Sequence, residues 1–254
     1  MAQEKKPEKK PEKKQEKKAE EFPRFERVLM VGAHPDDPDF SAAGTLARLV
    51  EDGAKATIVI CTDGSEGGED PTIPDADLTR QRCAEQCAAS AELGIHDVVF
   101  LGHPDGRLEH TLEFRKEITA LIRRHRPDLV LTHVPSIAID APIGSYHPDH
   151  LAVGAATLAA VYPASRNPRA FRELLQEGLE PWRVKEVWIP TWNQGDFWVD
   201  ISSVVETKIA ALRAHESQVS NWENWEEGFR KRMREIGEKA GYEYAEGFKR
   251  IKIW

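Results

Sequence analysis

The stretch "RVLMVGAHPDDPDFSAAGTLARLVEDGAKATIVICT", residues 27–62, predicts the fold of the chain. Its first seven residues are typical of a buried strand, "SAAGTLARLVEDG" of a helix that ends at Gly53, and "KATIVICT" of a second strand. Two apolar strands joined by a crossover helix are the unit from which parallel sheets are built. The turn after the first strand, "HPDDPDF", is unusual because it concentrates one histidine and three aspartates where a buried strand ends.

The same alternation continues along the chain. Further strands are predicted at "DVVFLG", "DLVLTH", "VKEVWIP" and "FWVDIS", and helices over residues 77–94, 110–127, 147–163 and 203–219. This order predicts an α/β fold, a three-layer sandwich around a mostly parallel Rossmann-like sheet with right-handed crossovers. In such sheets the active site lies at the C-terminal edge of the strands.

The N-terminal segment differs from the rest of the chain in composition. Residues 4–21 repeat an EKK/PEKK pattern with 8 Lys, 6 Glu and two prolines, and they offer almost no apolar side chain to bury. We therefore expect a disordered tail over residues 1–24 and a single domain over residues 25–254.

Composition and charge argue against several classes of function. The whole chain has a net charge of −8, and without its basic tail it is more acidic still, which disfavours binding to a nucleic-acid backbone. No apolar stretch reaches the roughly 18 residues of a membrane span. The three cysteines, Cys61, Cys83 and Cys87, are an odd number without a CxxC pair, which favours a reducing compartment. We expect a cytoplasmic protein with no membrane span.

The loops that follow the predicted strands are rich in histidine and aspartate. Two of them contain near-identical tetrapeptides, "HPDD" at residues 34–37 and "HPDH" at residues 147–150. A histidine and a carboxylate from one loop and a histidine from the other would leave one position open on the metal, as in catalytic zinc sites. Fe²⁺ accepts the same kind of set. In the alternative interpretation, the aspartates cap the following helix and the histidines lie on the surface.

Other common sites are not supported by the sequence. The turn after the first strand lacks G-x-G-x-x-G, and "DGSEGG" at residues 63–68 lacks the lysine of a phosphate loop. We interpret its glycines as room for a backbone close to a ligand. No G-x-S-x-G motif is present for a serine nucleophile.

The motifs, taken in order, resemble the LmbE/PIG-L family of zinc-dependent N-deacetylases. The resemblance extends over residues 27–250 and rests on "AHPDD", "AAGTLARL", "TDG", an R-x-x-E at residues 82–85, "PDGRL", "HPDH" and "KIAALRAHESQ". It implies that His34, Asp37 and His150 bind Zn²⁺. It also implies that Asp36 is the general base, with a zinc-activated water as the nucleophile.

The resemblance further implies that His147 polarises or protonates at the tetrahedral intermediate. By the same analogy, Arg82 and Asp105 contact the sugar, with Arg80 as an alternative to Arg82. The expected reaction is hydrolysis of an N-acetyl amide on an amino sugar or its glycoconjugate. We expect a small-molecule substrate and a homo-oligomer. The alternatives are an amidase of a thiol-sugar conjugate with the same metal centre, and a catalytically idle sugar-binding protein.

The sequence leaves more than one role open for several residues near these motifs. Asp39 stands where many family members have glutamate, and no role is assigned to it. His133 ends a predicted strand and so could face the site, whereas Asp149 or Asp140 could orient a histidine ligand or, for Asp149, favour the helix N-terminus. The tryptophan-rich segment "NWENWEEGF" has two interpretations. It could form a lid or a platform on which a sugar stacks, or it could pack in the core or in a subunit interface.

Overall fold

A computed structural model describes residues 22–137, 146–191 and 195–254. The strands are β1 Arg27–Gly32, β2 Lys55–Thr62, β3 Asp97–His103, β4 Leu129–Thr132, β5 Glu186–Pro190, β6 Phe197–Asp200 and β7 Ala245–Lys252. The helices are α1 Asp37–Glu51, α2 Asp75–Glu92, α3 Leu112–His125, α4 Pro148–Ala159, α5 Glu173–Gln176, α6 Val205–Ala214, α7 Glu216–Val219 and α8 Trp225–Ala240. The predicted tail up to residue 21 lies outside the described residues.

The seven strands form one mixed sheet in the order β3-β2-β1-β4-β5-β7-β6. Strands β1 to β5 pair in parallel, whereas β7 is antiparallel to both β5 and β6. Helices cover both faces, which confirms the predicted α/β sandwich with a mostly parallel sheet.

Alternating side chains of the strands build two cores, one on each face of the sheet. In β1, Val28 and Met30 belong to a core that includes residues of α1, α2, α6 and α8, whereas Leu29 and Val31 belong to a core that includes residues of α3 and α4. This two-residue period is that of a strand buried on both faces. No helix in the described part of the chain is both long and apolar enough to cross a membrane.

The structure corrects several predicted boundaries and adds three elements, one of them the four-residue helix α5. Helix α1 begins at Asp37, four residues earlier than predicted, because Pro38 is well suited to the first turn of a helix. The helix predicted over residues 203–219 is interrupted at His215 and becomes α6 and α7. Helix α8 and strand β7 were not predicted. Packing begins inside the segment assigned to the tail, because the Phe22 ring lies 6.4 Å from that of Trp188.

Candidate active site

The candidate site lies at the C-terminal edge of the sheet, beside the neighbouring strands β1 and β4. The chain leaves β1 towards β2 on one side, while β4 lies on the other side, so a crevice opens between the loops that follow β1 and β4. The turn after β1 carries His34 and leads into α1 at Asp37, and the first turn of α4 carries His150. These three side chains come together in the crevice.

Each pair of these three residues brings donor atoms as close together as neighbouring ligands of one metal ion, with Asp37 presenting Oδ2 to His34 and Oδ1 to His150. His34 Nδ1 lies 3.2 Å from His150 Nε2 and 3.4 Å from Asp37 Oδ2, and Asp37 Oδ1 lies 3.1 Å from His150 Nε2. A tetrahedral ion about 2.0–2.1 Å from each donor separates neighbouring donors by about 3.3 Å. The residues present therefore fit a Zn²⁺-sized ion.

The second ring nitrogen of His34 is held by two buried carboxylates. Nε2 lies 3.0 Å from Asp105 Oδ1 and 3.1 Å from Asp149 Oδ2. Asp149 in turn accepts the backbone N–H groups of Gly106 at 2.8 Å and Leu108 at 3.0 Å. Asp149 thus orients a histidine, one of the two roles considered for it, while it also lies in the first turn of α4. Asp140 lies outside the described residues.

The electrostatics of the cluster favour a cation. Burial lowers the pKa of His34, but hydrogen bonds to three carboxylates outweigh burial and raise that pKa to about 12. Those carboxylates are Asp105, Asp149 and Asp37. Burial raises the pKa of Asp37, yet the neighbouring His150 and His133 hold it well below its usual range. A site that stabilises positive charge this strongly, with imidazole and carboxylate donors, is suited to a divalent metal.

His133, directly after β4, is part of the same cluster. Its Nε2 lies 3.2 Å from Asp37 Oδ2, and its ring stacks on that of His150 with centroids 4.1 Å apart and planes 11° apart. His133 therefore faces the site, as its place after β4 suggested, and packs against one candidate ligand while contacting another.

Asp36 lies half-buried beside the candidate ligands, and its carboxylate is turned to Arg82. Its backbone has a φ of 113°, and its carboxylate accepts a hydrogen bond of 2.9 Å from Arg82 Nη2. Burial and the neighbouring Asp37 raise the pKa of Asp36 to about 6, while Arg82 opposes this shift. This arrangement supplies a half-buried carboxylate that can accept a proton near neutral pH.

His147 immediately precedes α4 and borders the cluster. Its ring centroid is 4.6 Å from that of His34 and 5.3 Å from that of His150. Its Nδ1 accepts the backbone N–H of Asp149 at 3.3 Å, so the neutral ring carries its hydrogen on Nε2. Burial lowers the pKa of His147, and the neighbouring His34 and His150 lower it further.

Arg82 and Asp105 are in the site but turn towards protein groups. Arg82 is only 3% exposed, and it donates to the carbonyls of Gly64 at 2.7 Å and Pro35 at 2.8 Å as well as to Asp36. Asp105 is 5% exposed, and besides His34 it contacts the backbone N–H of Glu66 at 3.1 Å. Arg82 thus contacts the candidate base Asp36, and Asp105 contacts the candidate metal ligand His34.

The glycines of "DGSEGG" make room for a side chain. A Cβ on Gly64 would lie 2.9 Å from the Arg82 guanidinium, and one on Gly67 would overlap it. The space expected for a ligand beside Gly64 and Gly67 is therefore occupied by the side chain of Arg82.

A buried polar network beneath the site was missed at the level of sequence. Asp39 is fully buried, with His215 Nε2 at 2.9 Å and Gln86 Nε2 at 2.8 Å from its Oδ2. The Gln86 Oε1 accepts the backbone N–H of Asp36 at 2.8 Å. Two features of the sequence could have indicated this network. They are Asp39, the third aspartate of "HPDDPD", and His215 in the "AHESQ" segment, which belongs to the motifs that carry the family resemblance.

The tryptophan-rich segment contributes an exposed aromatic cluster. Trp222 is 52% exposed, and its ring lies 6.0 Å from that of Phe40 and 6.4 Å from that of Phe229. Trp225 packs partly against the core. Platform, lid and interface roles for this segment stay predictions.

The chain is similar to known proteins over most of its length. The sequence pattern of the family described as PIG-L, GlcNAc-PI de-N-acetylase, matches residues 29–161. The diacetylchitobiose deacetylase of Thermococcus kodakarensis is 34% identical over 232 residues, which are 91% of this chain and 85% of that protein. The 1D-myo-inositol 2-acetamido-2-deoxy-alpha-D-glucopyranoside deacetylase of Actinosynnema mirum is 32% identical over 242 residues, covering 78% of this chain and 82% of that protein.

A solved structure is similar in fold over most of the chain. The N,N'-diacetylchitobiose deacetylase from Pyrococcus horikoshii, in complex with an inhibitor, superposes with a TM-score of 0.82. The match covers 90% of this chain and 84% of that one at 29% identity. Because the family pattern spans the first strands and the HPDD and HPDH motifs, this chain belongs to the PIG-L (LmbE-like) family of GlcNAc-PI de-N-acetylases.

Proposed function

We propose that this protein is a metal-dependent N-deacetylase that hydrolyses the acetamide of an N-acetylated amino sugar or of its glycoconjugate. The observation that carries the proposal is the convergence of donor atoms from His34, Asp37 and His150, each pair within 3.4 Å, beside the separate, half-buried carboxylate of Asp36. The names of the relatives support the substrate class, since both describe deacetylases of acetylated amino sugars.

His34, Asp37 and His150 would hold the metal, which we assign as Zn²⁺. Two histidines and one carboxylate also accept Fe²⁺. When bound, such an ion lowers the pKa of a water to about 7 and polarises the amide carbonyl. The carboxylates of Asp105 and Asp149 fix His34 through its Nε2, which leaves Nδ1 facing the other two ligands.

Asp36 is the general base of the proposed reaction. Its carboxylate takes the proton of the attacking water and passes it to the nitrogen of the leaving amine, so that acetate and the free amino sugar are formed. Arg82 donates to Oδ2 of Asp36 and so keeps the carboxylate in one orientation. We assign Arg82 this positioning role and Asp105 the orientation of His34, and the sugar contacts that the resemblance implies for both residues stay a prediction.

His147 donates a hydrogen bond to the carbonyl oxygen as negative charge develops on it. The backbone N–H of Asp149 occupies Nδ1 of His147, so the hydrogen on Nε2 is available to the substrate. A preorganised donor of this kind is worth about 3 kcal/mol in the transition state. A neutral ring is sufficient for this role, because the N–H donates without transferring charge.

Metal analysis combined with an acetate-release assay tests the proposal. Metal-loaded protein should release acetate from N-acetylglucosamine, N,N'-diacetylchitobiose or the acetamido-glucosyl inositol. The variant His150→Ala should lose the metal and turnover together, whereas Asp36→Asn should keep the metal and lower kcat by about 100-fold or more. The exposed His110 and Asp52 supply matched controls, since His110→Ala and Asp52→Asn should change neither quantity.

Different results would separate the alternatives. Full turnover in metal-loaded Asp36→Asn would contradict its role as the base. Release of a larger acyl group in preference to acetate would favour the amidase of a thiol-sugar conjugate. Binding of an N-acetylated sugar by metal-loaded protein without any hydrolysis would favour the idle binding protein.

A further inference from the structure

Asp36 has a backbone conformation that requires support from its surroundings. Its φ of 113° lies in a region that residues other than glycine rarely adopt. Two side chains of α2, one helical turn apart, hold the residue from opposite ends. Arg82 donates to the Asp36 carboxylate at 2.9 Å, and Gln86 accepts the Asp36 N–H at 2.8 Å.

The orientation of the Gln86 amide is determined by its other partners. Its Nε2 donates to Asp39 Oδ2 at 2.8 Å and to Ser90 Oγ at 3.1 Å, which turns Oε1 towards the N–H of Asp36. Asp39 can only accept hydrogen bonds when it is ionised, so it selects the donor end of the amide. His215 Nε2, at 2.9 Å, holds the same oxygen of Asp39, and both of these side chains are completely buried.

We propose that Gln86, with its amide oriented by Asp39 and His215, is a positioning residue that fixes the backbone of Asp36 and thereby the direction of its carboxylate. This inference rests on the proposed function, in which that carboxylate moves the proton. It assigns a role to Asp39, for which the sequence suggested none.

The candidate metal ligands are held by separate contacts. Asp37 Oδ2 accepts the N–H groups of Ala33 at 3.0 Å and His34 at 2.7 Å, and neither involves Gln86. Loss of the Gln86 acceptor should therefore release Asp36 from its unusual φ and leave the metal in place. A general structural role would lower metal binding and activity together, so the two explanations differ in a measurable way.

The variant Gln86→Leu tests the proposal, with Gln81→Leu as the control. Gln81 is an exposed glutamine on the same helix. We expect Gln86→Leu to lower kcat for acetate release by about 10- to 100-fold, with KM and the metal bound per chain unchanged. Hydrogen exchange in peptides covering residues 33–40 should be faster in this variant, whereas Gln81→Leu should match the wild type in every measurement.

A second pair of variants tests the role of Asp39. Gln86→Glu places two carboxylates face to face and should lower kcat. Adding Asp39→Asn reverses donor and acceptor, because the asparagine NH2 can donate one hydrogen to Glu at position 86, whose other oxygen accepts the Asp36 N–H, and its second hydrogen to His215 Nε2 in the neutral tautomer that carries its hydrogen on Nδ1. The double variant should recover at least tenfold of the loss caused by Gln86→Glu.

Three results would overturn the inference. The first is Gln86→Leu with wild-type exchange around Asp36 and kcat within twofold. The second is a loss of kcat that parallels a loss of bound metal, and the third is a double variant no more active than Gln86→Glu. If wild-type protein deacetylates no acetamido sugar, the proposed function fails instead, and the exchange measurement still decides whether Gln86 holds the backbone of Asp36.

Discussion

At the scale of single residues, Asp128 shows how one buried carboxylate can join the N-terminal edge of the sheet. Its Oδ2 accepts the backbone N–H groups of Glu26 at 3.1 Å and Arg27 at 3.2 Å, and its Oδ1 lies 3.0 Å from Lys185 Nζ. The Lys185 side chain is largely exposed, so the ion pair adds little and the two amide hydrogen bonds matter most. Asp128 thereby links the starts of β1, β4 and β5, at the edge opposite to the candidate site.

Asp128 should make the stability of the fold depend on pH. Burial raises its pKa, but Lys185 and the two amides outweigh burial and lower it below the usual value. A lowered folded-state pKa means that the stabilisation is complete above the unfolded pKa of about 3.9 and is lost as pH falls through the folded pKa. We expect Asp128→Asn to lower the free energy of unfolding by about 2 kcal/mol at neutral pH, and less below about pH 4.

Urea unfolding of wild type and Asp128→Asn between pH 7 and about pH 3.5 measures this difference. The exposed Asp52, in the turn between α1 and β2 at the same edge, provides the control Asp52→Asn, which should be neutral throughout. An Asp128→Asn deficit that grows towards acid pH would have the wrong sign and would contradict the assignment.

Some residues of the site could be predicted from the sequence, whereas others could not. The proximity of His34, Asp37 and His150 follows from the tetrapeptides HPDD and HPDH, which both follow predicted strands and so lie at the C-terminal edge of the sheet. Gln86 and His215 could not be found in the same way, because their contacts join residues 50 and 176 positions apart. Which face of α2 turns towards the site is determined by packing, and no motif in the sequence encodes it.

At the scale of elements, the approach of α4 to β4 determines how closely the two site histidines stack. Gly154 lies one turn after His150, and a Cβ on it would lie only 2.5 Å from the carbonyl oxygens of His133 and Val134. The absence of a side chain therefore lets α4 pack directly against the backbone that carries His133. The 4.1 Å stacking of His133 on His150 depends on this close approach.

Gly154→Ala should therefore damage both stability and the site. The methyl group must push α4 away from β4, which we expect to lower the free energy of unfolding by about 1–3 kcal/mol. Bound metal should also decrease, because His150 moves with α4. Urea unfolding and metal analysis measure the two effects.

Gly228 in α8 offers a matched control. It has no atom within 4 Å of the corresponding Cβ position, so Gly228→Ala should leave metal binding unchanged and stabilise by about 0.5–1 kcal/mol. Equal and small effects of the two substitutions would show that the contact of α4 with β4 is not tight.

The elements that could be predicted are those with a simple hydrophobic period. Strands β1, β2 and β4 are short apolar runs that are largely buried, β3 is a half-buried apolar run at the edge of the sheet, and the alternation with helices was evident. Strand β7 was missed because four of its eight residues are charged and its partners β5 and β6 lie far away in the sequence. Its Glu246 is nevertheless buried, because Lys208 lies 2.6 Å away and the amides of Gly44 and Thr45 donate to it.

At the scale of the whole molecule, the candidate active site and the stabilising contacts of Asp128 lie at opposite edges of the sheet. The candidate ligands, Asp36 and Asp105 follow the C-terminal ends of β1, β3 and β4, whereas Asp128 joins the opposite ends. Parallel strands make this separation possible, because all the loops that follow them lie at one edge. This polarity explains why the sequence could predict the edge at which the site lies without predicting the order of the strands in the sheet.

The boundary between the N-terminal tail and the domain leads to a final prediction. The rings of Phe22 and Phe25 lie 6.4 Å and 5.6 Å from that of Trp188, and the Arg48 guanidinium lies 4.3 Å from the Phe22 ring. Removal of residues 1–21 should thus leave the free energy of unfolding within about 0.5 kcal/mol of the full chain, whereas removal of residues 1–25 should cost about 2 kcal/mol or more. The full-length double variant Phe22→Ala/Phe25→Ala should reproduce most of the second loss, since the rings rather than the backbone make these contacts. Urea unfolding decides the matter, and two truncations of equal stability would place the start of the domain after Phe25.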